Sequence, residues 1–396
     1  MKYIIAIFLL LPSLCLPAQE WYAGVDLPGL ARHHPVSFVI GNSAYVLTGS
    51  AFPSVPQRDM YKFDVENMRF TQLADFPGGA RSFSYGAAYN GKGYVGFGLN
   101  TSAFLNDLWE FDPLAESWKQ LKSCPCSARK HPAFLITDNG KLFVGMGDNG
   151  TMDFNDWWEY DIATDTWTQR ANLPGPARHH PYYFSIGNDA FVGFGHTGSN
   201  IWKDFYKYNT SSNTWTRLND FPGQGRVAGS QFSHAGYGYI LSGEGETHQN
   251  LDSGEFFRYD PSIDFWQELP AHPGDGRWAP TSFYVNGKVV ILAGEDATPT
   301  IRKDMLIYNL DAPVGIDAMT QKAQIVIYPN PSPNRKLNIS EPVQKVSVFN
   351  VLGNELSLEK TGDNQYNIPP TSPSGWYIVR LTDIRGNVYS YRWAVE

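Results

Sequence analysis

An arginine returns along this chain at Arg32, Arg81, Arg129, Arg178, Arg226 and Arg277, at intervals of 49, 48, 49, 48 and 51 residues. A tryptophan keeps the same period at Trp118, Trp167, Trp215 and Trp266. A unit this short cannot bury a core by itself, so successive copies must stack against one another. The recurrence therefore constrains the fold more than any single residue does. It also marks each repeated side chain first as scaffold.

Aromatics make up 15% of the 396 residues, and 37 glycines and 27 prolines accompany them. That composition suits many short strands joined by tight turns. The formal net charge is −8, and residues 325–396 are close to neutral with seven Lys/Arg and six Asp/Glu, so the repeat region is the acidic part. An acidic body argues against a nucleic-acid partner. Lys2, the apolar run Ile4 to Leu16 and the small-residue site Leu16-Pro17-Ala18 read as an export signal over residues 1–18. No later segment has 18 consecutive apolar residues, so no transmembrane segment is expected once the signal is removed. Beyond the signal only Cys124 and Cys126 remain. A disulfide between cysteines one residue apart closes a strained loop. Two thiolates are too few for a metal. The expectation is a variant turn, with Cys124-Pro125-Cys126 standing where the previous unit has Phe76-Pro77-Gly78.

The unit beginning at Arg178 shows the internal order. Tyr182–Ile186, Ala190–Gly195, Phe205–Tyr208 and Thr214–Leu218 alternate with turns rich in Gly, Asn, Asp and Ser, which gives a four-stranded antiparallel meander. Asp64 to Phe70, Asp112 to Trp118, Asp161 to Trp167, Asn209 to Trp215 and Asp260 to Trp266 share one spacing. The Asp or Asn closes the turn through its own backbone, and the ring fills space between neighbouring sheets. These features resemble the Kelch repeat, through Gly195, Tyr160-Asp161 and Trp118 with Leu121. The family's double glycine departs here to Gly96-x-Gly98, Gly145-x-Gly147 and Gly193-x-Gly195. The resemblance implies an all-β fold, a six-bladed propeller over residues 19–310. The sixth unit lacks its Trp-x-x-Leu, and Trp21-Tyr22 with Leu27-Pro28-Gly29 resembles the missing piece. Residues 20–25 are therefore expected to supply the last outer strand and close the ring.

The period stops at Asp311. A linker over 311–324 and a small β-sandwich over 325–396 are expected, with strands Lys336–Ile339, Lys345–Asn350, Gly375–Leu381 and one near Tyr389–Val395. Tyr328-Pro329-Asn330-Pro331, Leu337-Asn338-Ile339, Val348 to Gly353 and Gly375 to Leu381 closely resemble the C-terminal sorting domain of the type IX secretion system in Bacteroidetes. That resemblance implies the secretion machinery as a partner, and a secreted or outer-surface-attached protein.

Antiparallel order brings the arginines, the residues after each second-strand glycine, and Asp59, Asp107, Asp156, Asp204 and Asp304 to one pole, with the longer loops. Candidate ligand-binding residues there are Arg32, His34, Arg81, Arg129, His131, Arg178, His180, Arg226, Arg277 and Trp278. Arginine forks suit carboxylates and an aromatic face suits a sugar ring. Arginine at this position also belongs to the family pattern, so internal bonds to loop carbonyls or the nearby aspartates compete with that role. His34, His131 and His180 fall in blades one, three and four and are expected to stand apart, so no metal site and no cofactor is assigned. Glu244 and Glu295 break the repeat and are the candidate catalytic groups.

The leading reading is a binding module for a glycan or acidic protein through the arginine-rich pole, with no catalysis assigned. The alternative is a sugar mutarotase or epimerase resembling the Kelch-type sialic acid mutarotases, with Glu244 or Glu295 as acid/base and Arg226 or Arg277 as the cation. Behind both stands a copper oxidase resembling galactose oxidase, whose cysteine could come only from Cys124 or Cys126.

Overall fold

In the computed structural model, residues 20–311, 327–340, 342–351, 353–383 and 388–396 are described. The expected export signal (1–18) and nearly all of the expected linker lie outside them. The chain divides into two compact units, one spanning Gln19–Ala312 and the other holding the C-terminal region.

The first unit is six four-stranded antiparallel sheets. Blade three shows the pattern: Ala133–Ile136, Lys141–Gly145, Trp157–Asp161 and Thr166–Arg170 pair in sequence order. The first strand of each blade touches the first strands of both neighbours, and that of blade six touches that of blade one, so the ring is closed. Aromatic and β-branched side chains fill the seams. Phe97, Phe143, Trp157 and Tyr208 are buried between blades two to four, and Phe194, Phe205 and Trp266 between four and five.

The repeated residues explain themselves at the seams. In blades one to five the second strand leads to a glycine whose amide donates to the carbonyl of the next blade's arginine: Gly49 to Arg81 at 3.1 Å, Gly98 to Arg129 at 2.9 Å, Gly147 to Arg178 at 2.9 Å, Gly195 to Arg226 at 3.0 Å and Gly243 to Arg277 at 2.9 Å. Gly147 has φ +87°, and a Cβ there would stand 2.6 Å from the Lys130 carbonyl oxygen. Only glycine fits both the dihedral and the space. The six-residue spacing is an Asx turn, as expected. Asp112 Oδ1, for example, accepts from the amides of Leu114 at 2.8 Å and Ala115 at 3.3 Å. The repeated tryptophans staple neighbours: Trp167 Nε1 donates to the Lys122 carbonyl at 2.8 Å, and Trp215 Nε1 to that of Ala171 at 2.7 Å.

Blade six closes as the sequence suggests. Trp21–Ala23 pairs antiparallel with Ile301–Asn309, the outer strand joined to a sheet whose other three strands come some 260 residues later in the chain. The leading strand thereby ties the two ends of the ring together.

The C-terminal unit is a pair of four-stranded sheets. One orders Ile327–Tyr328, Lys336–Ile339, Gln365–Asn367 and Glu359–Gly362; the other Glu355–Leu356, Val343–Phe349, Gly375–Asp383 and Val388–Val395. Leu337, Val348, Val379, Leu381 and Trp393 form its core. The four strands expected from sequence are present. The short ones at 327–328, 355–356, 359–362 and 365–367 were not foreseen, because two or three residues carry too little alternation to register as a strand and Glu359–Gly362 has no apolar residue.

Cys124 and Cys126 lie in a buried turn, as expected, and the two thiols, whose pairing the sequence left open, are joined as a disulfide. The turn at Pro125 bends the backbone enough to bring the two Cα atoms to 5.1 Å, within the usual span of such a bond.

Candidate functional site

The six arginines do reach one pole, but they are not offered to a ligand there. Arg32, Arg81, Arg129, Arg178 and Arg226 have no exposed surface and Arg277 is 6% exposed. Each fork closes on a carboxylate of its own blade. Arg32 bonds Asp59 at 2.5 and 2.7 Å, Arg81 bonds Asp107 at 2.8 Å twice, Arg129 bonds Asp156 at 2.5 and 2.8 Å, and Arg178 bonds Asp204 at 2.5 and 2.8 Å. Arg277 holds Asp304 at 2.8 Å. The second-strand carbonyls of Thr48, Phe97, Met146, Phe194 and Ala293 take further bonds. The expectation of a cationic ligand-binding ring is thus corrected: a paired, desolvated guanidinium holds the blade's loops and is spent on that. Arg226 is the exception. It reaches Glu255 at 2.6 Å, but its Nε and Nη1 are buried without a partner. The carbonyl it would use, that of Ser242, is taken by the Tyr182 hydroxyl at 2.6 Å.

Two residues past each arginine the backbone turns left-handed. His34, Phe83, His131, His180, Ala228 and Ala279 have φ of 53°, 59°, 55°, 52°, 50° and 48°. Because all six blades share this turn, it belongs to the fold. Their backbones link around the axis: the His34 amide donates to the Ala279 carbonyl at 2.8 Å, the Ala279 amide to that of Ala228 at 2.6 Å, and the His180 amide to that of His131 at 3.2 Å. The positions thus form a hub, and the side chains at it meet. His34 Nε2 lies 3.1 Å from His180 Nε2, and the His131 and His180 ring centroids are 3.6 Å apart. The expectation that the ring would keep these three histidines apart is corrected. Sequence reasoning treated equivalent positions as rim positions, whereas these lie on the axis. All three are buried, and desolvation first, then neighbouring basic groups, holds each well below 6.5. Beneath them runs an axial cavity of about 300 Å³ lined by the six first strands.

Outside this hub lies a second set of side chains, formed where the residue after an arginine bridges the residue after a second-strand glycine. Among these bridges are Lys130 with Asp148, His179 with His196, Val227 with Glu244, and Trp278 with Glu295. Glu244 and Glu295 therefore sit on adjacent blades beside Trp278, whose ring packs 4.7 Å from His33 and 4.6 Å from His34. Burial raises the Glu244 carboxyl to about 7, with the Glu295 charge adding to the effect. Burial likewise raises Glu295, with Asp296 second. His248 approaches Glu244 at 3.9 Å. A carboxyl held near 7, as Glu244 is, can exchange a proton with a bound molecule near neutral pH. Neither Arg226 nor Arg277 presents a free fork to that molecule. His33 and His179 were noted in sequence only as part of Arg32-His33-His34-Pro35 and Arg178-His179-His180-Pro181, not as site residues, and Asp153 and His248 were not noted at all. The first two are adjacent to arginines in the repeated Arg-His-His-Pro, which was a usable signal. Asp153 and His248 lie in loops of blade-specific length and carried none.

Among the described residues no helix is long and apolar enough to cross a membrane. The described disulfide leaves neither Cys124 nor Cys126 as a free thiol for a copper oxidase of the galactose-oxidase type.

No curated protein matches the chain. The solved structure of YjhT superposes with a TM-score of 0.61 at 18% identity, covering 71% of this chain and 95% of that one. At that identity the likeness is one of fold. The model of the Attractin/LZTR1 beta-propeller family matches residues 44–306, from the second strand of blade one to the third strand of blade six. With the family's span laid over the closed ring of six sheets, the chain belongs to the Attractin/LZTR1 β-propeller family.

Proposed function

We propose that the pole binds a reducing sugar and catalyses the opening and closing of its ring, in the manner of a mutarotase. The observation that carries this reading is the pairing of Glu244, raised to about 7, with Glu295 beside the half-buried Trp278. Mutarotation needs a proton delivered to the ring oxygen while one is withdrawn from the anomeric hydroxyl, and then the reverse. Two carboxyls with unequal affinities for a proton suit the two tasks. Glu244, the more strongly raised, is the acid at neutral pH, and Glu295 the base. The indole of Trp278 supplies an apolar face for the ring. The earlier resemblance to Kelch-type sialic acid mutarotases agrees with the chemistry. The occupied arginine forks argue for a reducing sugar in general rather than for a sugar acid. Glycan binding at the same pole is the first step of this reading and stands without the second.

The test is anomer exchange followed by NMR on the full chain, with neutral and acidic reducing sugars. Catalysis predicts a rate above buffer that falls about 10²–10⁴-fold in Glu244→Gln. A wild-type rate equal to buffer with every sugar would end the catalytic reading, and a glycan-array signal at that point would leave the binding module.

We also propose that the protein is exported through its first 18 residues and that residues 325–396 address it to the type IX machinery. The sequence motifs and the separate two-sheet unit support this. Deleting 325–396 should retain the protein in the periplasm; unchanged appearance outside the cell would refute it.

A further inference from the structure

The three histidines at the hub are arranged as ligands. One ring nitrogen from each of His34, His131 and His180 lies within 4.8 Å of the others. A tetrahedral ion with nitrogen ligands at about 2.0–2.1 Å needs them about 3.3 Å apart, and His34 and His180 already stand at 3.1 Å. His131 donates its Nδ1–H to Asp148 Oδ2 at 3.1 Å. That bond leaves Nε2 as a lone pair, and this atom is buried without any partner in a side chain only 4% exposed. His196 donates Nδ1–H to the Gly198 carbonyl at 3.2 Å, so its Nε2 accepts the Nδ1–H of His180 at 3.4 Å. His180 Nε2 is then also a lone pair. His34 bonds His33 through Nδ1 at 2.8 Å and points Nε2 inward. Each inward nitrogen therefore has an outer partner on the opposite side of its ring, as metal-bound imidazoles do.

We propose that the Nε2 atoms of His34, His131 and His180 form a three-histidine site for a divalent transition-metal ion, Zn²⁺ foremost, on the propeller axis. Neutral imidazoles with no thiolate or carboxylate among the three suit Zn²⁺ with an open fourth position. Without metal, a proton of His34 occupies the gap to His180. On binding, that proton moves to His34 Nδ1, which donates it to His33, and the His33 proton moves to its own Nε2. No proton is lost and the ring remains neutral. The overlapping groups, His179 with His180 and His196, and His131 with Asp148 and His179, are poorer sites. In them the candidate ligands already bond one another: His180 Nδ1 to His196 Nε2 at 3.4 Å, and His131 Nδ1 to Asp148 Oδ2 at 3.1 Å. The axial cavity, lined in part by His34 and His180, provides an entry path. The proposal is independent of the sugar reading.

The test is Zn²⁺ binding to the full chain after chelator treatment, by competition with a chromophoric chelator, with Co²⁺ absorption as a second readout. The expected result is one ion per chain, tetrahedral Co²⁺ bands and a raised Tm. His131→Phe copies the hub residue of blade two, Phe83, so the fold tolerates it; it should abolish binding while leaving the metal-free Tm within a few degrees. Asp148→Asn should weaken binding about 10–100-fold. No uptake by the wild type overturns the proposal. So does uptake unchanged in a folded His131→Phe/His34→Ala double variant, which would place the ion elsewhere.

Discussion

Trp21 is the ladder partner of Tyr308, 5.3 Å between ring centroids, and its indole Nε1 donates to the Pro270 carbonyl at 2.7 Å. The first described strand therefore touches both blade six and the outer strand of blade five. Trp21→Ala removes a half-buried ring and that bond, and should cost about 2–3 kcal/mol. A fall in Tm of several degrees by calorimetry is expected, about 2–4 °C per kcal/mol for a domain of this size. An unchanged Tm would show that the seam is held without this strand.

The arginines should differ in what they hold. Arg129→Met strips a bidentate partner from Asp156 and should destabilise by about 3–5 kcal/mol in urea unfolding. Arg226→Met should cost clearly less, because Arg226 makes one carboxylate bond and already leaves Nε and Nη1 unsatisfied. Equal losses would mean that the unsatisfied nitrogens find partners in solution.

The seam glycines should be sharply position-dependent. Gly147→Ala meets a backbone oxygen at 2.6 Å and a positive φ, so a loss of about 3 kcal/mol or more is expected. Gly41, at φ +58° with nothing within 4 Å, should give up only about 1–2 kcal/mol on the same change.

Glu244 should make stability pH-dependent in a fixed direction. Its folded carboxyl is raised from 4.5 to about 7 by burial and Glu295. The groups facing it are Glu295, His248 and, through Coulomb interaction, Tyr182. A raised acid contributes stability that is full below about 4.5 and lost as pH rises through about 7. Glu244→Gln should therefore match the wild type in Tm at pH 4, exceed it increasingly between about pH 4.5 and 7, and keep a constant margin above that. In the mutarotase reading, kcat/KM should fall above pH 7 in the wild type, and this limb should vanish in the variant.

The blade count, the order of strands and the closing strand were legible because they depend on spacing, and spacing survives any local substitution. Glu244 and Glu295 stand out in the sequence because they interrupt a repeat, and only their placement beside one strand-end bridge each is seen in the fold. The pairing of the arginines was half legible: the aspartates 26 or 27 residues on are visible in five units, but Glu255, 29 residues after Arg226, breaks the count. The hub was not legible. Whether a position lies on the axis or at the rim depends on the left-handed turn after Arg-His, and nothing in composition or periodicity sets that sign of φ. His34, Phe83, His131 and His180 all adopt it despite carrying bulky side chains.

The shared turn has an evolutionary consequence. Every unit delivers one side chain to a common meeting point, so the centre is spelled by six letters, here His, Phe, His, His, Ala and Ala. Duplicating a unit copies a letter, and a point change rewrites one without disturbing any sheet. A molecule built this way can exchange the chemistry at its middle while the wheel around it stays the same.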